Sequence, residues 1–128
     1  MTTILLIAAA GALGSLSRYA VSGAVHAALG QSFAWGTLAV NLLGSFLLGF
    51  LMHLGLNTDL IPPHLRTAAA VGFLGAFTTF STFSYETVRM IQDGAWGAAA
   101  GNIAGSVVLG IIGVVAGMAA GKLIAGGA

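Results

Sequence analysis

Gly72-Phe73-Leu74-Gly75-Ala76-Phe77-Thr78-Thr79-Phe80-Ser81-Thr82-Phe83-Ser84 is the stretch on which the fold turns. Five hydroxyl side chains lie between Thr78 and Ser84, inside a run that is otherwise apolar. Two β-branched threonines follow a Gly75-Ala76 step, which predicts a helix that is weak or broken there. At membrane depth a broken helix survives only where protein buries it or where it lines a cavity. The carbonyls it frees can coordinate a cation, and the amides it frees can meet an anion. Four phenylalanines punctuate the stretch. A single one reads as packing or lipid contact, but phenylalanine interleaved with hydroxyls at a break calls for more.

The rest of the chain places this stretch in a membrane. Of 128 residues, 58% are hydrophobic and 20 are glycine, and the mean hydropathy is +1.01. Charged residues make up 5%, against about a quarter in a soluble domain. So few charges cannot coat a water-soluble globule, which excludes an ordinary soluble enzyme. Nor can they form the basic patch on which nucleic-acid binding relies. Disorder is excluded because it needs low hydrophobicity and high charge. A net charge of +1 points to no charged partner. Cysteine is absent, so no disulfide framework, thiolate metal site or cysteine nucleophile exists. The opening MTTILLIAAAGALG lacks the basic start of a signal peptide and reads as a first membrane span.

Crossing a bilayer takes about 20 apolar residues in a helix. Four stretches of this single transmembrane domain qualify: approximately 4–26, 36–54, 67–91 and 97–123. Turn signals separate them at Gly30-Gln31-Ser32, at Asn57-Thr58-Asp59 with Pro62-Pro63, and at Gln92-Asp93-Gly94. Trp35 and Trp96 open the second and fourth spans, where interfacial aromatics belong. The apolar runs are continuous rather than alternating, which argues against a barrel. Four spans put both termini on one side with Arg66 and Lys122, while Arg89 lies on the other and Arg18 sits inside the first span. Two readings of so even a count stand side by side: short loops that make the positive-inside rule noisy, or dual topology with chains paired antiparallel. Gly97, Gly101 and Gly105, then Gly113, Gly117 and Gly121, recur at steps of four along the last span. Such steps let helix backbones approach in lipid, either within one chain or, as we expect, across a homodimer.

Polar residues inside a membrane are costly and therefore informative. Thr37, Asn41 and Ser45 share one face of the second span. For Asn41 both an interhelical hydrogen bond and a pore-facing amide are open. No acidic residue lies in the first, second or fourth span. A proton-coupled exporter of organic cations needs a deep carboxylate, so a small multidrug antiporter fits poorly. A scaffold for a larger membrane complex leaves the hydroxyl stretch unexplained. Arg18 suits an anion pathway, or pairs with Glu86. His26, His53 and His64 show no metal-ligand spacing. GALGSLSR, from Gly11 to Arg18, has the glycines of a nucleotide loop but no preceding strand.

The segments GALGSLSRY, WGTLAVNLLGSFLLGF and GFLGAFTTFSTFSYET resemble the Fluc (CrcB) family of fluoride channels over essentially the whole chain. The resemblance implies an all-α membrane protein of four helices, the third broken, working as an antiparallel dual-topology homodimer in the cell's inner or plasma membrane. It implies passive fluoride export, with no enzyme activity. Carried over by motif, Asn41 would be a pore-lining amide, and Phe80 and Phe83 the aromatic pair that faces fluoride. Ser81, Thr82 and Ser106 would form a hydroxyl track, and Arg18 would favour anions at a pore entrance. Gly75 and Thr78 would offer backbone carbonyls to a structural sodium ion, Na+, at the dimer centre. In the fourth span, Asn102 and Ser106 are followed by Gly110, where another hydroxyl would be expected. The chemistry agrees. Fluoride is strongly hydrated, and amide and hydroxyl donors can replace its water without trapping it. The electropositive edge of a phenyl ring can touch an anion weakly.

Overall fold

Each uninterrupted apolar run becomes one helix in the computed structural model, which describes residues 1–125. Helix α1 spans Thr2–Leu29 and α2 spans Trp35–Asn57. The third span is assembled from pieces: a short α3 at Pro63–Thr67, a π-helical segment at Ala68–Leu74, a single turn α4 at Gly75–Phe77, and α5 at Phe80–Gln92. Helix α6 spans Trp96–Ile124. Among the described residues there is no strand. Helices α1, α2 and α6 are each long and apolar enough to cross a membrane alone. The third span reaches across only as the sum of its parts. The helical segments outrun the sequence-predicted spans by one to four residues at each end, because a helix continues into the interface where polar residues cost little. Pro63 starts α3, where its missing amide would have been unpaired anyway. Gly30 and Gly94 take positive φ, of 85° and 77°, at the two tight turns leaving α1 and α5.

Helix α2 is the centre of the bundle. It lies along α6 on one side and against α1 on the other. Helix α1 in turn packs on the π-helical segment and α4, and α5 leans on α6. Glycine makes these approaches possible. A Cβ on Gly49 of α2 would collide with the Val114 carbonyl of α6, and one on Gly117 of α6 would collide with the Phe46 carbonyl of α2. Backbones meet there with no side chain between them, as close packing in lipid requires.

The glycine rows of α6 divide at this seam. Gly113, Gly117 and Gly121 pack against α2 within the chain. Gly97, Gly101 and Gly105 face open space, with nothing within 4 Å of a Cβ built on them. The outer surface is apolar: Leu5, Leu13 and Leu16 on α1 and Val108, Ile111 and Val115 on α6 are all exposed. A soluble protein would hide such residues; a multi-pass membrane protein presents them to lipid.

Arg66 fixes the connection between α2 and α3. Its Nη1 donates to the Gly55 carbonyl at 2.8 Å, and its aliphatic stem lies over Gly55. The guanidinium thus meets the negative end of α2. Replacing Gly49 or Gly117 by valine should overpack the α2–α6 seam and destabilise the fold by at least about 1–3 kcal/mol. Gly101→Val should leave the fold of the single chain intact. Thermal unfolding midpoints in detergent check the contrast.

Candidate functional site at the break in the third span

The break falls at Thr78 and Thr79. Phe77 ends α4, Thr78 and Thr79 run extended (φ −86°, ψ 159° and φ −151°, ψ 113°), and Phe80 begins α5. Thr79 caps α5: its hydroxyl accepts the Thr82 amide at 3.2 Å and donates to the Thr82 hydroxyl at 3.0 Å. This is the N-cap geometry that threonine favours.

Asn41 holds the extended backbone in place. Its Nδ2 donates to the Thr79 carbonyl at 3.1 Å, and its Oδ1 accepts the Thr79 amide at 2.8 Å. A continuous helix would have given the Thr79 amide to the Gly75 carbonyl and the Thr82 amide to the Thr78 carbonyl. Here the first goes to Asn41 and the second to the Thr79 hydroxyl. The carbonyls of Gly75 and Thr78 therefore lose their helical donors. The Ala76 carbonyl takes a different partner, the Nε of Arg18 at 3.1 Å. Arg18 and Glu86 do not pair: Glu86 accepts the hydroxyl of Thr37 instead. The arginine lies against the C-terminal end of α4, where a cation suits the helix dipole.

A cavity of about 300 Å³ opens beside the break, lined by Asn41, Ser45, Gly75, Thr78, Thr79 and Phe80 among others. Phe80 is 78% exposed. Phe83, one turn on, is half-buried, and the two ring centroids lie 5.7 Å apart at 49°. Their carbonyls are occupied by hydroxyls four residues on, Ser84 to Phe80 at 2.9 Å and Thr87 to Phe83 at 2.8 Å. Ser81 and Thr82 line a neighbouring surface groove of about 430 Å³ together with Tyr85 and Glu86, rather than the cavity at the break.

Helix α6 brings a second polar group. Asn102 is fully buried and its Nδ2 donates to the Thr87 hydroxyl at 2.9 Å. One turn further along, the Ser106 hydroxyl is buried with no hydrogen-bond partner among the described residues. At Gly110, a Cβ would lie 3.8 Å from the Ser45 hydroxyl of α2. A hydroxyl absent from α6 at that level is thus present on the facing helix.

The structure gathers Asn41, Gly75, Thr78 and Phe80 around one cavity, sets Phe83 against Phe80, and places Ser81 and Thr82 on the adjoining face. Thr87 is a polar partner that the sequence did not single out, and Thr79, read there only as weakening the helix, is also the N-cap of α5 and the partner of Asn41. Thr87 had a signal, lying one turn beyond Phe83; Thr79 had one as the last hydroxyl before α5, in N-cap position.

Residues 5–118 match the model of the CrcB-like protein family, described also as camphor resistance (CrcB). A protein of Geobacter sulfurreducens named fluoride-specific ion channel FluC is 49% identical over 122 residues, covering 95% of this chain and 98% of its own. Proteins of the same name from Magnetococcus marinus and Geotalea daltonii are 48% and 44% identical, covering 92% and 97% of this chain and 96% and 100% of their own.

Asn41→Ala should release the Thr79 amide and allow the third span to relax. The loss of two hydrogen bonds in a half-buried site should cost about 1–3 kcal/mol or more. Hydrogen exchange at the Thr79 amide checks this: it should quicken markedly, while amides at the middle of α2 stay protected.

Proposed function

The chain belongs to the CrcB-like family, and from that premise we propose that it is a passive fluoride-selective channel that lets fluoride leave the cytoplasm and relieves its toxicity. It is a channel and not an enzyme. The negative-inside membrane potential of the inner or plasma membrane drives the anion out once a selective path exists.

The orphaned Ser106 hydroxyl is the observation that carries this reading. A buried donor without an acceptor is costly, and nearly all buried polar groups in proteins find a partner. A dehydrated anion supplies the missing acceptor. Asn41 adds to the path: one Nδ2 proton goes to Thr79, and the second is left to meet an ion in the cavity. Phe80 and Phe83 present ring edges, which attract an anion weakly enough to release it. Ser81 and Thr82 extend the hydroxyl lining beyond the break, with Ser45 supplying the level where Gly110 has none. Arg18, bound to the Ala76 carbonyl, contributes fixed positive charge near the break. None of these donors traps fluoride as a free ammonium would, so the ion can pass.

The working form in this proposal is an antiparallel, dual-topology homodimer. The exposed Phe80 and Gly75 leave the cavity open on one side, and Gly97, Gly101 and Gly105 leave α6 free to take a second backbone. Arg66 and Lys122 lie toward one membrane face and Arg89 toward the other, with Arg18 inside α1, so the basic residues give little bias to one orientation. The Gly75 and Thr78 carbonyls, deprived of helical donors, fit a hard monovalent cation such as Na+, which would tie the two breaks together at the dimer centre.

Proteoliposomes loaded with potassium fluoride test the function, with valinomycin to dissipate the potential and a fluoride electrode to read efflux. Fast fluoride release without chloride release is expected. Absence of fluoride release from folded dimer overturns the proposal. Phe80→Ala, Phe83→Ala and Ser106→Ala should each slow efflux about tenfold, the factor that corresponds to ~1.4 kcal/mol of lost contact. For the topology, a C-terminal tag in cells should label from both membrane faces; labelling from one face alone rules out the antiparallel dimer.

A further inference from the structure

Helix α5 carries Phe80 and Phe83, and a continuous helical backbone does not set its roll. Extended residues Thr78 and Thr79 separate it from α4. Its roll depends on what it packs against, chiefly α6, with a smaller contact to α2. Two polar contacts leave α5 from adjacent residues, about 100° apart around the helix. Glu86 accepts the hydroxyl of Thr37 on α2. Thr87 meets Asn102 on α6, and this second contact is buried on both sides, with Asn102 2% and Thr87 7% exposed. The Asn102 Nδ2 donates to the Thr87 hydroxyl at 2.9 Å, and that hydroxyl donates to the Phe83 carbonyl at 2.8 Å. A hydroxyl has one proton to give. Because the amide of Asn102 is the donor to Thr87, the Thr87 proton goes to Phe83. The three groups form a directed chain from α6 to the backbone of the aromatic pair.

We propose that Asn102 is a positioning residue for the anion path: acting through Thr87, it fixes the roll of α5 and keeps the edge of the Phe83 ring turned to fluoride. The inference rests on the channel reading above and adds to it a residue that acts without touching the ion. Phe83 and Thr87 stand four apart on one face of α5, so the hydrogen bond holds the turn that carries the ring. The ring leaves little margin. Its edge is electropositive and its face electronegative, so a roll of α5 that exchanges edge for face turns a weak attraction for an anion into repulsion. Packing alone does not call for a carboxamide at 102. A polar group is costly to bury in a membrane, and an apolar side chain of the same size would fill the space. What the hydrogen bond adds is direction. Asn102 and Ser106 also stand four apart on one face of α6. The contact that sets the roll of α5 therefore sets Phe83 against the level of the Ser106 hydroxyl as well.

The test is initial fluoride efflux from proteoliposomes over a range of internal fluoride concentrations, read as a half-saturating concentration and a maximal rate. Asn102→Leu keeps the volume and removes the donor. Thr87→Val keeps the shape and removes the hydroxyl, and Thr87→Ser retains it. Asn102→Leu and Thr87→Val should each raise the half-saturating fluoride concentration roughly three- to tenfold, the range that one net hydrogen bond spans, and change the maximal rate less. Thr87→Ser should behave as the wild type. Asn102→Leu combined with Thr87→Val should be no worse than either alone, as two cuts in one chain require. In a Phe83→Ala background Asn102→Leu should change nothing further, whereas a general loosening of the bundle would add its own loss. Three results each overturn the proposal and leave the channel reading standing: wild-type half-saturation in a folded, dimeric Asn102→Leu; an Asn102→Leu effect that Phe83→Ala leaves undiminished; or Thr87→Ser as impaired as Thr87→Val. Should Asn102→Leu not fold, the Thr87→Val and Thr87→Ser pair decides. Absence of fluoride efflux from the wild type overturns both readings.

Discussion

Two hydrogen bonds between the Asn41 carboxamide and the Thr79 backbone hold the third span open. A helix broken at membrane depth would close again if its freed groups had no better partner, because lipid offers none. Asn41 takes both the amide and the carbonyl of Thr79, and the Thr79 hydroxyl then takes the Thr82 amide. From these diversions follow the free carbonyls of Gly75 and Thr78, the start of α5 at Phe80, and the outward position of the Phe80 ring. Asn41 can do this because α2 is the fixed element of the bundle. Gly49 and Gly117 bring α2 and α6 together backbone to backbone, so the platform that carries Asn41 has little freedom to move.

The break itself was legible from the sequence. Threonines after Gly75-Ala76 favour extended backbone, and the density of hydroxyls leaves few other readings. The spans were legible too, since apolar length is a strong signal. Which group closes on which was not. The spacing of Thr37, Asn41 and Ser45 shows a shared face but says nothing about what lies opposite, and Asn41's partner is 38 residues away. The two alternatives for Asn41, structural clamp and pore amide, turn out to be compatible, because a carboxamide has two protons to give. Arg18 shows the limit from the other side. Charge alone offered it an anion path or the carboxylate of Glu86, yet its bonded partner is a backbone carbonyl released by the break, a group with no signature in the sequence.

That preference runs through the whole chain. The charged residues number four basic and three acidic, and two of the arginines bind main-chain carbonyls, Arg18 at Ala76 and Arg66 at Gly55. The hydroxyls of Thr78 and Thr87 bind carbonyls one turn back, at Leu74 and Phe83. The two arginines thus satisfy main-chain carbonyls at the break and near the end of α2, while the threonine hydroxyls share carbonyls that already accept a helical amide. Against that background the Ser106 hydroxyl and the Nδ1 of His26, buried without a partner among the described residues, stand out.

The π-helical segment at Ala68–Leu74 gives the break a phase as well as a position. A π turn accommodates one more residue than an α turn, so it shifts the angular setting of everything that follows. Each α-helical residue advances the face by about 100°. Upstream, the segment is anchored where Arg66 grips Gly55; downstream, it must deliver the Thr79 backbone to Asn41. A chain shortened by one alanine within 68–70 could relax to a regular α-helix there and keep the faces carrying Gly75 and Thr78 near the cavity, because the π turn had absorbed the additional residue. The wide turns act as a spacer that sets angle rather than length. The segment thus carries an additional residue between Arg66 and Thr79 while still delivering the Thr79 backbone to Asn41.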